Sequence, residues 1–202
     1  MKSAKVPSLS EIRKWMTRLA REHHIPQQAR DTWSHSLLNW KFADRIAKIL
    51  TKRGIPVDRH FLKVACMVHD IGRMVTGSKA SVELMDATYH AFIGYRLVKR
   101  KGYGEKLARV CIVHMGGTGL DARVCKQYKF IGRDFFPTSI EEKILAYADA
   151  RNTYSAKQGR HIGSFRRAYH RFAQYGKSVE RLAAIHEELQ LLTNHSIEKL
   201  VP

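Results

Sequence analysis

Apolar residues recur at three- and four-residue spacing along most of the chain, the period of an α-helix with one buried face. From Ser8 to His24 they fall at Ile12, Trp15, Met16 and Leu19, with Ser8 or Ser10 as N-cap. Leu38, Phe42, Ile46 and Ile49 with Leu50 predict a second helix from about Ala29 to Lys52, ended by Gly54 and Pro56; His35 begins its stripe. Asp58 can cap a third helix, His60 to His69. Thr76 to Ala80 is polar and loop-like. A fourth helix, from Val82 or Ala87 to Lys101, carries His90 and is broken by Gly102 and Gly104. Glu105 to His114 is the fifth, stopped by Gly116-Gly117. Asp121 to Tyr128 reads as one short helix. Thr138 and Glu141 have capping-box spacing and open a helix carrying Ile144, Leu145, Ala148 and Asp149. Two amphipathic helices, Ser164 to Tyr175 and Ser178 to Leu192, complete the chain. Strand signals are sparse and there is no internal repeat, so the pattern predicts an all-α protein.

Composition narrows this picture. A chain of 202 residues with 44% hydrophobic and 27% charged residues fits one cored globular unit with small appendages. No apolar run approaches the ~18 residues of a membrane span. The basic N-terminus is followed by no apolar core, so the expectation is a cytoplasmic chain without a secretory leader. Cys66, Cys111 and Cys125 are an odd count in apolar or loop settings, which fits reduced thiols. The net charge of +18 favours encounter with polyanions such as nucleic acid or nucleotides, or is simply a solvated basic surface.

The candidate chemistry centres on adjacent His69 and Asp70, within Val68-His69-Asp70-Ile71-Gly72-Arg73. They offer a divalent metal one nitrogen and one hard oxygen. Neighbouring side chains on a regular helix point about 100° apart and cannot share an ion. They can where the helix ends, and Gly72 is placed to release it. His35, His90, His114 and Asp149 each lie inside a stretch that reads as an apolar helix. One inward histidine is ordinarily a hydrogen-bonded core residue. Several, with two aspartates, call for pairing or a metal. For Asp149 the simpler reading is a helix-end carboxylate paired with Arg151.

In order along the chain stand Ser34-His35-Ser36-Leu37, His69-Asp70-Ile71-Gly72, His90 with Gly94, Ile112-Val113-His114 with Gly116, and Glu142-Lys143-Ile144-Leu145-Ala146-Tyr147-Ala148-Asp149. Over roughly Thr32 to Asn152 this order resembles the HD-domain family of metal-dependent phosphohydrolases. The resemblance implies a helical bundle at 31–152, with an N-terminal helical extension at 1–30 and C-terminal helices at 153–202. It implies that His35, His69, Asp70 and Asp149 ligate a first metal. In members with a second metal, Asp70 bridges and the positions of His90 and His114 supply ligands. Two departures stand out: His114 is followed by Met115 where some two-metal members have a second histidine, and the spacer from His69 to His90, which contains Glu83 and Asp86, is long.

Mixed nitrogen and oxygen ligands suit manganese, iron, nickel, cobalt or zinc, as one or two ions. A bound ion lowers the pKa of water to about 7 and polarises a phosphoryl oxygen. Phosphoryl transfer also needs positive charge around the phosphate, for which Arg73, Lys79 and Arg151 are candidates. Catalysis is expected from Asp70, Arg73, His90 and His114. The expected activity is hydrolysis of a phosphate ester or anhydride of a phosphorylated small molecule, a nucleotide by preference. Alternatives are a dinucleoside polyphosphate hydrolase, such as one acting on diadenosine tetraphosphate, and a basic nucleic-acid-binding protein that keeps the fold without turnover. Arg160, His161, Arg166, Arg167, His170 and Arg171, interleaved with Phe165, Tyr169, Phe172 and Tyr175, form either a basic-aromatic surface or an ordinary amphipathic helix. Two Cys-x-x-His spacings, Cys66 to His69 and Cys111 to His114, lack the partner pair a zinc finger needs. No membrane partner is expected, and the oligomeric state is not readable.

Overall fold

The inward stripe of the longest helix changes character half-way along, and that change locates the site. Helix α2 runs Pro26–Lys52; its buried positions are Thr32, Ser36 and Asn39 in the first half and Phe42, Ala43, Ile46, Ala47 and Leu50 in the second. One half therefore packs into an apolar core while the other presents polar groups to its neighbours. The computed structural model describes residues 5–77, 84–195 and 197–202. Lys79 and Glu83 lie outside them, as does the side chain of Asp86.

Helix α1, Leu9–Glu22, begins at Ser8 rather than Ser10. The Ser8 hydroxyl accepts from the Glu11 amide, and Glu11 accepts from the Ser8 amide at 2.8 Å, a closed capping box. It buries Ile12, Trp15, Met16 and Leu19 against the helices that follow. Helix α2 starts three residues before the expected Ala29, because Pro26 can take the first turn, where its missing N–H is no loss. Asp58 caps α3, Arg59–Val68, accepting from the Phe61 amide. After the His69-Asp70 turn come the short α4, Arg73–Thr76, then α5, Leu84–Arg100, and α6, Gly104–Val113. Asp121 caps α7, Ala122–Gln127. Helices α8, Ile140–Arg151, α9, Phe165–Phe172, and α10, Lys177–Leu192, complete the bundle.

Three details differ from the sequence reading. The capping box of α8 is Ser139 with Glu142, one residue on from Thr138 and Glu141. Thr138 contributes all the same: its amide and hydroxyl both donate to Glu142. Between α8 and α9 the chain forms an unforeseen antiparallel hairpin, β1 Asn152–Ser155 with β2 Gly159–Ile162. Four-residue strands are too short for alternation to stand out. The stretch expected as one helix to Tyr175 is α9 followed by a 3₁₀ turn, Ala173–Tyr175. Among the described residues the protein remains all-α but for this hairpin and a single antiparallel bridge between Leu120 and Phe135. No helix of the described residues is long and apolar enough to cross a membrane.

Candidate metal centre

Gly72 acts by its size, not by releasing the helix. Its φ of −63° is ordinary, and α3 ends at His69 without a left-handed residue. A methyl group at Gly72 would lie 1.9 Å from the His90 carbonyl oxygen and 2.8 Å from the Gly94 amide nitrogen. The turn after α3 and the helix α5 touch backbone to backbone, which brings His90 beside Asp70. Gly94 is tight in turn: a methyl there would lie 3.1 Å from the Cys111 side chain on α6, the helix that ends in His114.

Five helices or their ends deliver one side-chain cluster: His35 from α2, His69 and Asp70 from the end of α3, His90 from α5, His114 from the end of α6 and Asp149 from α8. Asp149 Oδ1 lies 2.9 Å from His35 Nε2 and 3.4 Å from His69 Nε2. Those two ring nitrogens are 3.2 Å apart. On the other side, His90 Nε2 and His114 Nε2 are 3.4 Å apart. Asp70 stands between. Its Oδ2 faces His35 and His69 at 3.5 and 3.7 Å, and its Oδ1 faces His90 and His114 at 3.0 and 3.4 Å.

The donor chemistry fits a cation at the middle. His69 Nδ1 lies 2.7 Å from the Cys66 carbonyl, and His114 Nδ1 lies 3.0 Å from the Val110 carbonyl. A carbonyl only accepts, so each Nδ1 carries a proton, and in the neutral ring Nε2 presents its lone pair to the cluster. Asp70 Oδ1 is buried and receives no well-directed hydrogen bond. A buried carboxylate oxygen beside the imidazoles of His90 and His114 fits a metal-binding cluster. His35 differs in having a donor beside each ring nitrogen: the Arg160 guanidinium lies 3.3 Å from its Nδ1 and the Asn39 amide nitrogen 3.1 Å from its Nε2.

Charges follow the same division. Burial pushes the Asp70 carboxyl up, but Arg73 and His69 beside it hold it well below the usual carboxylate range. Burial likewise opposes ionisation of Asp149, which the imidazoles of His35 and His69 beside it nonetheless keep low. Burial disfavours charge on His69, yet Asp70 and Asp149 outweigh it and raise its pKa. For His90, burial and then the Arg73 charge push the pKa down to about 4.

Of the residues read as phosphate contacts, Arg73 lies beside the cluster. Its Nε donates to Asp70 Oδ2 at 2.8 Å, and it lines two cavities that open on the cluster, of 440 and 240 Å³. Arg151 does not. It does not pair with Asp149, and its guanidinium is buried, donating to the Gly163 carbonyl, the Tyr147 hydroxyl and Glu198. A cation two residues past an inward aspartate sits on another face of the helix, which spacing alone should have shown. Lys79 lies outside the described residues.

The sequence reading missed Asn39 and Asn152 and did not connect Arg160 and Arg171 with the site. Asn39 Nδ2 donates to Asp149 at 3.0 Å, and its Oδ1 accepts from Asn152 at 2.7 Å. Asn152 also donates to the His35 carbonyl, tying the hairpin to α2. Asn39 was findable, lying one turn after His35 on the same inward stripe. Arg171 donates to the Ala150 and Asn152 carbonyls and lines the smaller cavity. Cys66 and Cys111 are buried, and burial pushes both thiols up; neither is among the clustered donors.

A helical bundle that gathers four histidines and two aspartates from separate helices defines a class of metal-binding helical proteins. Within that class the chain belongs to the HD-domain family: the HD domain model matches residues 32–154, more than half of its length. Members of this family are typically metal-dependent phosphohydrolases. The chain is similar to an uncharacterised protein of Methanocaldococcus jannaschii, 24% identical over 158 residues, covering 78% of this chain and 87% of that one. It is also similar to a tRNA (cytidine(56)-2'-O)-methyltransferase of Picrophilus torridus, 26% identical over 146 residues, covering 72% of this chain but 39% of that protein. No solved structure was found to match it.

Proposed function

We propose that the chain is a metal-dependent phosphohydrolase that cleaves a phosphate ester or anhydride of a nucleotide. The observation that carries this reading is the division of Asp70, whose two buried oxygens face two separate histidine pairs. His35, His69, Asp70 and Asp149 would hold one ion and Asp70, His90 and His114 a second. Such an ion, when bound, makes hydroxide available near neutral pH and polarises the phosphoryl oxygen. Asp70 and Asp149 stay ionised, and His90 stays neutral, over the pH range where that chemistry runs. Arg73, held by Asp70 at the mouth of the cluster, offers its positive charge to the equatorial phosphate oxygens. In the reaction the oxygen of water bonds to phosphorus, the bond from phosphorus to the leaving oxygen breaks, and that oxygen takes up a proton.

A nucleotide is preferred because the strong positive charge suits a polyanionic substrate. A dinucleoside polyphosphate suits it on the same ground. A reading as a nucleic-acid binder without turnover draws on that charge and on the similarity to a tRNA methyltransferase. The test is phosphate release from a panel of nucleotides, dinucleoside polyphosphates and simple esters, in the presence of manganese, nickel, cobalt or iron. Metal-dependent release that disappears in Asp70→Asn is the expected result; no release from any substrate with any metal overturns the proposal.

A further inference from the structure

Beyond the centre, the surface carries cavities joined end to end. The 440 Å³ cavity over Asp70 and Arg73 shares Ser34 with one of 480 Å³ against the start of α2. That one shares Arg13, Thr17 and Arg21 with a third of 560 Å³ on the outer face of α1. The track follows from the amphipathic pattern of α1. With Ile12, Trp15, Met16 and Leu19 buried, the same helix must present Arg13, Lys14, Arg18 and Arg21 outward on successive turns. Helix α2 enters beside it and adds Arg30 and Trp33 to the wall.

These cations are largely uncommitted. Among the described residues no carboxylate lies within ion-pair distance of Arg13, Arg21 or Arg30, and Arg18 meets only Glu22, at 3.8 Å with both side chains exposed. The track is not wholly basic, since Asp31 and Glu22 also line it; Asp31 accepts from Gln27. Aromatic faces stand among the cations. The Arg13 guanidinium lies 5.5 Å over the Trp33 ring, and Tyr154, 66% exposed, lines the cavity over the centre. Arg13 to Arg21 alone covers about 12 Å of helix, and neither lines the cavity over the centre, so the track extends beyond it. Spaced cations with aromatic rings between them match a chain of phosphates with bases to stack.

We propose that single-stranded nucleic acid lies along α1 and the start of α2, with one of its phosphates reaching the metal centre. This rests on the phosphohydrolase reading and names its substrate class. The test is fluorescence anisotropy of labelled 12-nucleotide single-stranded RNA and DNA with the metal-loaded protein, against AMP as competitor. The triple variant Arg13→Ala/Arg21→Ala/Arg30→Ala should weaken oligonucleotide binding about tenfold or more. It should also lower the slope of log affinity against log salt by about 2, since each phosphate neutralised on a single strand contributes roughly 0.7. Tyr154→Ala should weaken binding without changing that slope. A control triple of exposed cations elsewhere, Lys52→Ala/Arg53→Ala/Lys126→Ala, should have a much smaller effect. Whichever of RNA and DNA binds more tightly identifies the polymer. Affinity for AMP equal to that for the 12-mers, an unchanged triple variant, or a control triple as damaging as the first overturns the proposal. Phosphate release from a small nucleotide should survive in the triple variant; if the wild type itself releases none, the phosphohydrolase reading has failed, and oligonucleotide affinity decides the track independently.

Discussion

Asp70 is held ionised in a buried position, with Arg73 on one oxygen and ring nitrogens around both. Replacing it by asparagine preserves its shape but removes the charge that makes the cluster attractive to a cation. Asp70→Asn is expected to lose its divalent metal while staying folded, as read by elemental analysis beside circular dichroism; equal metal in both proteins would contradict the role given to Asp70. His90 and His114 face only one of the two Asp70 oxygens, so His90→Ala should keep the ion held by His35, His69 and Asp149 and lose a second. The pH dependence has a definite sign. The His69 pKa is raised above its ordinary 6.5, so the metal-free protein binds a proton there near neutral pH that a metal must displace. Metal affinity should therefore climb as pH rises above 6.5, with proton release on binding, as titration calorimetry in two buffers of different ionisation enthalpy would show. His90, pushed down to about 4, adds no such dependence above pH 6.

At the scale of elements, the decisive contact is the crossing of the turn after α3 with α5. A side chain at Gly72 cannot fit without parting their backbones. Gly72→Ala is expected to cost about 1–3 kcal/mol by overpacking and to move His90 away from Asp70. A lowered melting temperature together with loss of the second ion is the expected result, whereas loss of stability alone would mean that the turn yields and α5 stays in place. This contact also marks the limit of what the sequence made legible. Helix positions and inward ligands could be read because burial imposes a 3.6-residue period on the chain itself. The close approach of Gly72 to His90 is a relation between two segments 18 positions apart, and no local pattern records it. The shift of the α8 cap by one residue has a similar cause, since both Thr138 and Ser139 can cap and only their joint bonding to Glu142 decides. Arg151 was misplaced because a cation near an aspartate in sequence says nothing about which partner its helix face meets.

Across the whole molecule, the cluster is a tie between five helices, added to their apolar packing and to ion pairs such as Arg59 with Asp44 and Arg109 with Glu142. Its six side chains come from five separate segments, from His35 to Asp149, so the unfolded chain cannot present them together. A metal that binds the folded state alone stabilises it by about 2.7 kcal/mol at a free concentration 100 times its dissociation constant. For a protein of this size that corresponds to a rise of roughly 5–11 °C in melting temperature. Thermal melts of the metal-loaded protein and of the protein in EDTA should differ by this amount. The difference should vanish in Asp70→Asn, which removes the charge that faces both histidine pairs. The Arg13/Arg21/Arg30 variant should keep the full difference, because its changes lie on the outer track and leave the ligands untouched. A metal-induced rise that persisted in Asp70→Asn would place the stabilising ion elsewhere on the protein.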